Sequence, residues 1–121
     1  MFNIFKIDFS NISINLLKNE VLGYKLIYND YAVYRNNEII DKRLDLRNHS
    51  PYGLSWGCFG SGPLQTALAI LYDFTQDEVF SLRNYNDFSK EIISSLPQKN
   101  CILKFSDIQH WIDIRKLQLK G

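Results

Sequence analysis

The 121-residue chain has little cysteine: Cys58 and Cys101 are its two thiols. They lie far apart in the sequence, without a CxxC pair or a histidine pair nearby, so a zinc site is not indicated. We expect two small buried thiols in a reducing compartment. No metal and no cofactor are predicted.

Net charge is also close to absent. Fourteen Lys and Arg residues stand against 13 Asp and Glu residues, which gives a formal charge of +1 at pH 7. Bulk charge therefore does not indicate nucleic-acid binding through phosphate neutralisation, although it leaves direct binding open. The chain is likewise not acidic enough to imitate DNA or RNA.

Long apolar runs are missing as well. No segment approaches the ~20 apolar residues that a membrane span needs. The acidic residue near the N-terminus and the short apolar patterns there argue against a signal peptide. We therefore expect a cytoplasmic protein without membrane association. The length is typical of one domain, and we predict a single domain over residues 1–121.

Aromatic residues, in contrast, make up 14% of the sequence. Residues 24–41 alternate in the manner of strands, and Asn29-Asp30 and Asn36-Asn37 are turn signals between them. This pattern predicts an antiparallel meander. Residues 2–16 also alternate in part, which predicts one or two strands, with a short helix over residues 12–19 as the alternative.

Residues 42–62 form a predicted loop that ends in a glycine-rich stretch. Three glycines and one proline fall between Gly57 and Pro63. Pro63 suits the first position of a helix, with Ser61 or Gly62 as the cap. Apolar residues then lie nearly all round the helix, which is typical of a central, buried position.

A second helix follows the first after a short gap. Thr75 and Glu78 have the spacing of a capping box, which predicts a helix start near residue 76. Val79 opens the predicted apolar stripe of this helix, and Pro97 is expected to end it. Residues 101–105 are apolar and predict a connector or a short strand.

The third helix completes residues 63–117 as the predicted helical part. Ser106 opens another capping-box pattern. Ile108, Trp111 and Ile112 then share one face with Arg115, and fraying is expected from residue 117 onward. The predicted fold class is α+β, with an N-terminal antiparallel β-meander packed on a C-terminal three-helix unit.

The order of residues between 47 and 71 resembles a family of short proteins of unknown function. The shared positions are Arg47-Asn48-His49-Ser50-Pro51, Gly53, Trp56-Gly57, Gly60-Ser61-Gly62-Pro63, Gln65 and Ala67-Leu68-Ala69-Ile70-Leu71. The resemblance covers about residues 24–113, and residues 1–20 look like an addition to it. Cys58 and Thr66 depart from the family pattern.

The resemblance implies no activity, because the family has none assigned. It implies an origin in bacteria, archaea, or their viruses and plasmids, where small single-domain proteins resemble anti-defence factors. We therefore expect a non-enzymatic binding protein of phage or mobile-element origin, similar to an anti-CRISPR inhibitor. Its expected partner is a host protein or ribonucleoprotein complex in the bacterial cytoplasm, and its oligomeric state is left open.

The candidate binding residues belong to the loop, to the start of the first helix and to the meander. They are Arg43, Arg47, His49, Gly60, Ser61, Gly62, Tyr28, Tyr31 and Tyr34. N–H groups at a helix start bind phosphate, so a nucleotide or anion site is the alternative function, with a purely structural turn as the competing interpretation. The arginines either complete that site or pair with nearby aspartates.

Catalysis is not predicted, and His49 acting with Cys58 or Ser50 is the weakest hypothesis. Trp56 is expected to plug the core beneath the loop. Gln65, a polar residue in an apolar helix, is expected to bond the backbone of residues 47–51. The tyrosines either form an exposed face for bases or proteins, or pack on the helices.

Overall fold

The computed structural model describes residues 22–120. The strand and helix predictions for residues 2–19 therefore lie outside the described residues. The described elements, in chain order, are β1 Gly23–Ile27, a 3-10 turn Tyr28–Asp30, β2 Ala32–Arg35, β3 Glu38–Ile39, α1 Ser61–Thr75, α2 Glu78–Glu91, a 3-10 turn Ile93–Ser95, β4 Cys101–Lys104 and α3 Phe105–Lys120.

The four strands form one antiparallel sheet in the order β3-β2-β1-β4. The predicted meander supplies β1 to β3, and the α+β fold class is confirmed. The apolar piece after α2 is the fourth strand, since Leu103 pairs with Tyr24 on β1. β4 passes directly into α3, and the Phe105 N–H donates to the Leu22 carbonyl at 2.8 Å.

The two turns of the meander differ in length. Ile27 pairs with Ala32, so the first connection spans residues 28–31 and is longer than the two-residue turn predicted at Asn29-Asp30. Tyr31 closes it with a φ of 52°. The second turn is confirmed: Asn36 and Asn37 have φ values of 51° and 68°, a left-handed conformation that Asn tolerates well.

Helix α1 is the central helix, as its apolar composition predicts. Every residue from Gln65 to Leu71 is buried. The helix begins at Ser61 with Gly60 as the N-cap, so the predicted cap at Ser61 or Gly62 is wrong. Pro63 falls inside the first turn, where a missing N–H leaves no intrahelical hydrogen bond unmade.

The boundaries of α2 also differ from those predicted. Thr75 still belongs to α1, so Asp77 caps α2 instead and accepts the Phe80 N–H at 3.0 Å. The helix ends at Glu91, well before Pro97. Its buried face carries the polar residues Ser81, Asn84 and Ser89, whereas Val79 is exposed.

Helix α3 buries Ile108, Trp111 and Ile112, as predicted. It continues to Lys120, so the fraying expected from residue 117 is not observed. Within residues 22–120, no helix combines the length and apolar character required to cross a membrane.

One polar cluster joins the sheet to α1. Tyr24 is fully buried, and its hydroxyl donates to Asp73 Oδ2 at 2.6 Å. Arg35 Nε donates to the same oxygen at 2.7 Å. Burial of the phenol, followed by its hydrogen bond to the carboxylate, raises the pKa of Tyr24 far above its ordinary value. The cluster therefore favours the protonated tyrosine.

The Tyr24→Phe variant is expected to lose less stability at alkaline pH than the wild type. The raised folded-state pKa means that the stabilising effect of protonated Tyr24 is complete below pH about 10 and declines as pH rises above it. Between pH 10 and 11.5, the wild type is expected to lose up to about 1.4 kcal/mol per pH unit more than the variant. Urea unfolding at fixed pH values measures this difference.

Tyr52→Phe is the matched control, since Tyr52 is exposed. Its pH profile is expected to follow that of the wild type. Parallel profiles for wild type and Tyr24→Phe would contradict the assigned role of the buried phenol.

Candidate functional site

The connection between β3 and α1, residues 40–60, contains no helix or strand. Loops of this length are uncommon within a compact domain and usually carry function. We call residues 40–60 the long loop. Its path is fixed by side chains of α1 and by contacts with the chain after α2, which together form the candidate site.

Gln65 is the first anchor of the long loop. Its Oε1 accepts the backbone N–H of His49 at 2.7 Å and that of Ser50 at 3.2 Å. Its Nε2 donates to the carbonyls of Lys42 at 2.6 Å and Arg47 at 3.0 Å. The side chain is fully buried and uses both donors and both acceptor positions. The prediction that Gln65 bonds this backbone is confirmed, and the contacts extend to Lys42.

Thr66 and Gly62 form the second anchor. The Thr66 hydroxyl accepts the Ser55 N–H at 3.0 Å and lies 2.7 Å from the Ser55 carbonyl, to which it donates. A Cβ on Gly62 would lie 1.9 Å from Ser55 Oγ, so glycine is required for this close approach. The start of α1 therefore packs closely on Ser55 of the long loop.

Trp56 and Gly57 hold the loop to the segment after α2. Trp56 is fully buried, as predicted, and its Nε1 donates to the Lys99 carbonyl at 3.0 Å. The Gly57 N–H donates to the Ile93 carbonyl at 3.0 Å. Gly57 has a φ of 84°, and a Cβ there would lie 2.7 Å from the Leu96 carbonyl oxygen.

Arg43 does not lie at the predicted anion site. Arg43 pairs with Asp45 at 2.8 Å, one of the predicted alternatives, and its guanidinium lies 4.4 Å from the centre of the Tyr72 ring. Tyr72 is about 16 Å along α1 from Ser61, so Arg43 stands away from the glycine residues. Pro63 also removes one N–H from the helix start.

The remaining members of that prediction lie in the long loop and at the start of α1. Arg47 is exposed and donates to the neighbouring Leu46 carbonyl at 2.9 Å. Gly60 and Ser61 are exposed at the helix start, whereas Gly62 packs against the loop. The anion-site and structural-turn interpretations of the glycine stretch both remain predictions.

The hypothetical nucleophile–base pair is not brought together either. His49 Nε2 lies 2.7 Å from the Tyr85 hydroxyl, and the Ser50 hydroxyl donates to the Gly53 carbonyl at 2.8 Å. Neither His49 nor Ser50 makes a hydrogen bond to the other side chain or to Cys58 within the described chain. Residues 22–120 also contain no cluster of three or more potential metal ligands.

The prediction of two buried thiols is wrong. Cys58 is exposed because it lies at the turn between Gly57 and Gly60, outside the packed part of the loop. Cys101 is partly buried on β4, and this burial raises the pKa of its thiol. Neither cysteine is part of a described hydrogen-bonded site.

The tyrosines do not form one aromatic face. Tyr28 packs edge-on against Trp56, with ring centres 5.4 Å apart, and Tyr34 donates to Asp30 at 3.2 Å. Tyr31 alone among the three predicted tyrosines is largely exposed, at 61%.

The long loop adds further exposed aromatic residues. Tyr52 is 94% exposed and Phe59 is 75% exposed. Tyr31 is attached to the same loop, because the Leu54 N–H donates to its carbonyl at 2.8 Å and Gly53 packs on its Cβ. We call Tyr31, Tyr52 and Phe59 the aromatic loop residues. The sequence pattern does not single out Phe59, since nothing in it distinguishes an exposed phenylalanine from a core one.

A family model described as a family of unknown function (DUF6166) matches residues 22–114. No curated protein and no solved structure matches the chain. The matched range contains the whole long loop and all of α1. The anchors of the loop therefore lie within the domain that the family model describes.

Replacing Gln65 by Leu is expected to destabilise the protein by about 4 kcal/mol or more. The variant keeps a similar volume but leaves two carbonyls and two N–H groups of the loop without their partner, and each such group costs about 1–3 kcal/mol when buried. Chemical denaturation measures the loss. Hydrogen exchange at residues 42–50 is expected to accelerate more than exchange in the sheet.

Gln65→Glu tests the two hydrogen bonds that the Gln65 side chain donates, because a carboxylate accepts from His49 but cannot donate to the Lys42 and Arg47 carbonyls. Gln118→Leu is the control on an exposed position of α3. Equal stability of Gln65→Leu and the control would contradict the anchoring role.

Proposed function

Since the chain belongs to the family of unknown function DUF6166, we propose its function from the long loop: the chain is a non-enzymatic binding protein that engages a partner protein through this loop. The observation that supports the proposal is the exposure of Tyr31, Tyr52 and Phe59 on a backbone anchored from beneath. Large aromatic residues are normally buried in a core, and their exposure on an ordered loop favours a contact surface.

The energetics of association favour such a surface. Tyrosine and phenylalanine bring a large contact area with only two side-chain torsions to fix, so little conformational entropy is lost on binding. The hydrogen bonds of Gln65 and Thr66 fix the loop backbone before a partner arrives. The ordering cost of binding is therefore mostly met during folding, which strengthens association.

The charges of the long loop indicate what kind of binding site the partner has. Arg43 is neutralised by Asp45, whereas Arg47 is exposed and has no carboxylate partner among the described residues. Exposed aromatic residues and an arginine without a carboxylate partner, carried by the same loop, complement an apolar pocket and a carboxylate on a partner. We therefore propose a partner protein whose binding site combines these two features.

The proposed identity of the partner rests on the family resemblance. Small proteins of mobile elements resemble factors that block host defence, so we propose a host defence complex, protein or ribonucleoprotein, as the target. In this proposal the chain acts in the bacterial cytoplasm as an anti-CRISPR-like inhibitor of phage origin. It blocks the target by occupying a surface and requires no catalytic group.

The Tyr52→Ser/Phe59→Ser double variant tests the binding surface. Tagged wild-type and variant chains are crosslinked in a host cell, and captured proteins are quantified by mass spectrometry. We expect one protein to be enriched with the wild type and to fall at least about tenfold with the double variant, because central aromatic contacts dominate interface energies. Both substituted side chains are exposed, so the melting temperature is expected to stay unchanged.

Val79→Ser/Leu119→Ser is the matched control, since both side chains are exposed on helices away from the long loop. It is expected to retain the partner. Equal capture by all three proteins would overturn the loop as the binding surface. Capture that nuclease treatment abolishes would identify a nucleic-acid contact, which a ribonucleoprotein target allows, and would exclude a target made of protein alone.

The inhibitory part of the proposal has a separate test. In a host with an active CRISPR system, expression of the chain is expected to raise transformation by a targeted plasmid and leave a non-targeted plasmid unaffected. The loop double variant is expected to lose this effect. Partner capture without any change in transformation would overturn the inhibitor while leaving the binding function in place.

A further inference from the structure

A cleft that includes no residue of the long loop lies between the end of α2 and one face of α3. Its volume is about 430 Å³. Its floor and walls are largely apolar and include Ile92, Leu96, Leu103, Trp111 and Ile114. A concave apolar site of this size, with a few polar groups on its walls, has the ordinary form of a small-molecule site.

Two solvent-exposed carboxylates line this α2–α3 cleft, one from each helix. Glu91 closes α2, and its Oε1 accepts the Trp111 Nε1–H at 2.8 Å. Asp107 stands one turn before Trp111 on α3, on the same side of the helix. Both carboxylates therefore lie close to the indole ring of Trp111.

The one arginine that lines the cleft does not neutralise these carboxylates. Arg115 forms an ion pair with Asp87, and its Nε donates to the Asn84 side-chain oxygen at 2.9 Å. Its charge is thus balanced on the α2 side. Among the described residues, neither Glu91 nor Asp107 has a cationic partner within ion-pair distance. The cleft combines an apolar interior with uncompensated negative charge.

We propose that the α2–α3 cleft binds a small amphiphilic amine: an apolar alkyl or aryl body that carries one ammonium group. The ammonium lies between Glu91 and Asp107, and the apolar body extends along Trp111 toward Ile114. An anionic ligand is disfavoured by the same two carboxylates. A neutral apolar ligand would gain no attraction from the two carboxylate charges.

The dimensions favour a small molecule over a protein. Eleven residues line the cleft, whereas a stable protein interface engages about 20–30 residues on each side. The cleft and the long loop share no residue, so the two proposals are independent. Loss of partner binding by loop variants says nothing about the cleft, and the reverse holds as well.

Three probes with the same eight-carbon chain test the proposal on the full chain. Octylammonium, octanol and octanoate are titrated separately below their micelle concentrations and followed by amide and indole NMR. Octylammonium is expected to produce saturable shifts at Trp111 Nε1–H and at the amides of residues 107–114. Octanol is expected to bind about tenfold more weakly and octanoate more weakly still, since the cleft carries two negative charges.

Charge-neutralising variants then locate the ammonium. Glu91→Gln and Asp107→Asn are each expected to weaken octylammonium binding about two- to fivefold, the range of partly exposed ion pairs, and to leave octanol binding unchanged. The side-chain amide oxygen of the Glu91→Gln variant can still accept the indole N–H, so the fold around Trp111 is retained. Asp113→Asn is the control, because Asp113 is an exposed carboxylate on the same helix that does not line the cleft.

Three results would overturn the proposal. The first is equal affinity for octylammonium and octanol, which would show that the carboxylates play no part. The second is an equal loss of affinity in Asp107→Asn and Asp113→Asn, which would reduce the effect to net charge. The third is the absence of saturable shifts with any of the three probes.

Discussion

The four hydrogen bonds of Gln65 are the constraint on which the rest of the site depends. A buried backbone group without a partner costs more than a hydrogen bond contributes, so the loop backbone that packs against a helix needs a side chain that meets its donors and acceptors together. A glutamine does this with one planar group. The carbonyls of Lys42 and Arg47 and the N–H groups of His49 and Ser50 all bond to its side chain. The loop is thereby folded around the first turns of α1.

Helix α1 connects the long loop to the sheet through polar residues near its two ends. Near its start, Gln65 and Thr66 hold the long loop, and near its end Asp73 holds Tyr24 and Arg35 of the sheet. Apolar residues between them fill the core. A rigid helix therefore fixes the position of the aromatic loop residues relative to the sheet, which is the arrangement that a binding surface requires.

Local patterns in the sequence predict much of this fold. The strands, the Asn36-Asn37 turn and the buried α1 follow from alternation, turn chemistry and apolar content, and Gln65 is identifiable because a buried amide must find partners. The sequence misplaces the cap of α2 because Thr75 and Asp77 both suit a helix start, and the extension of α1 decides between them. The position of Arg43 and the α2–α3 cleft depend on packing between distant segments, which no local pattern encodes.

The pairing of β1 with β4 has a consequence for the order of assembly. Gly23 and Lys104 lie on either side of α1 and α2 in the sequence, yet they are neighbours in the sheet. Until β4 emerges during synthesis, one edge of β1 remains open, and an open edge invites pairing with another chain. Completion of the sheet must therefore wait for α1 and α2, and this non-local closure is expected to make folding slow and all-or-none.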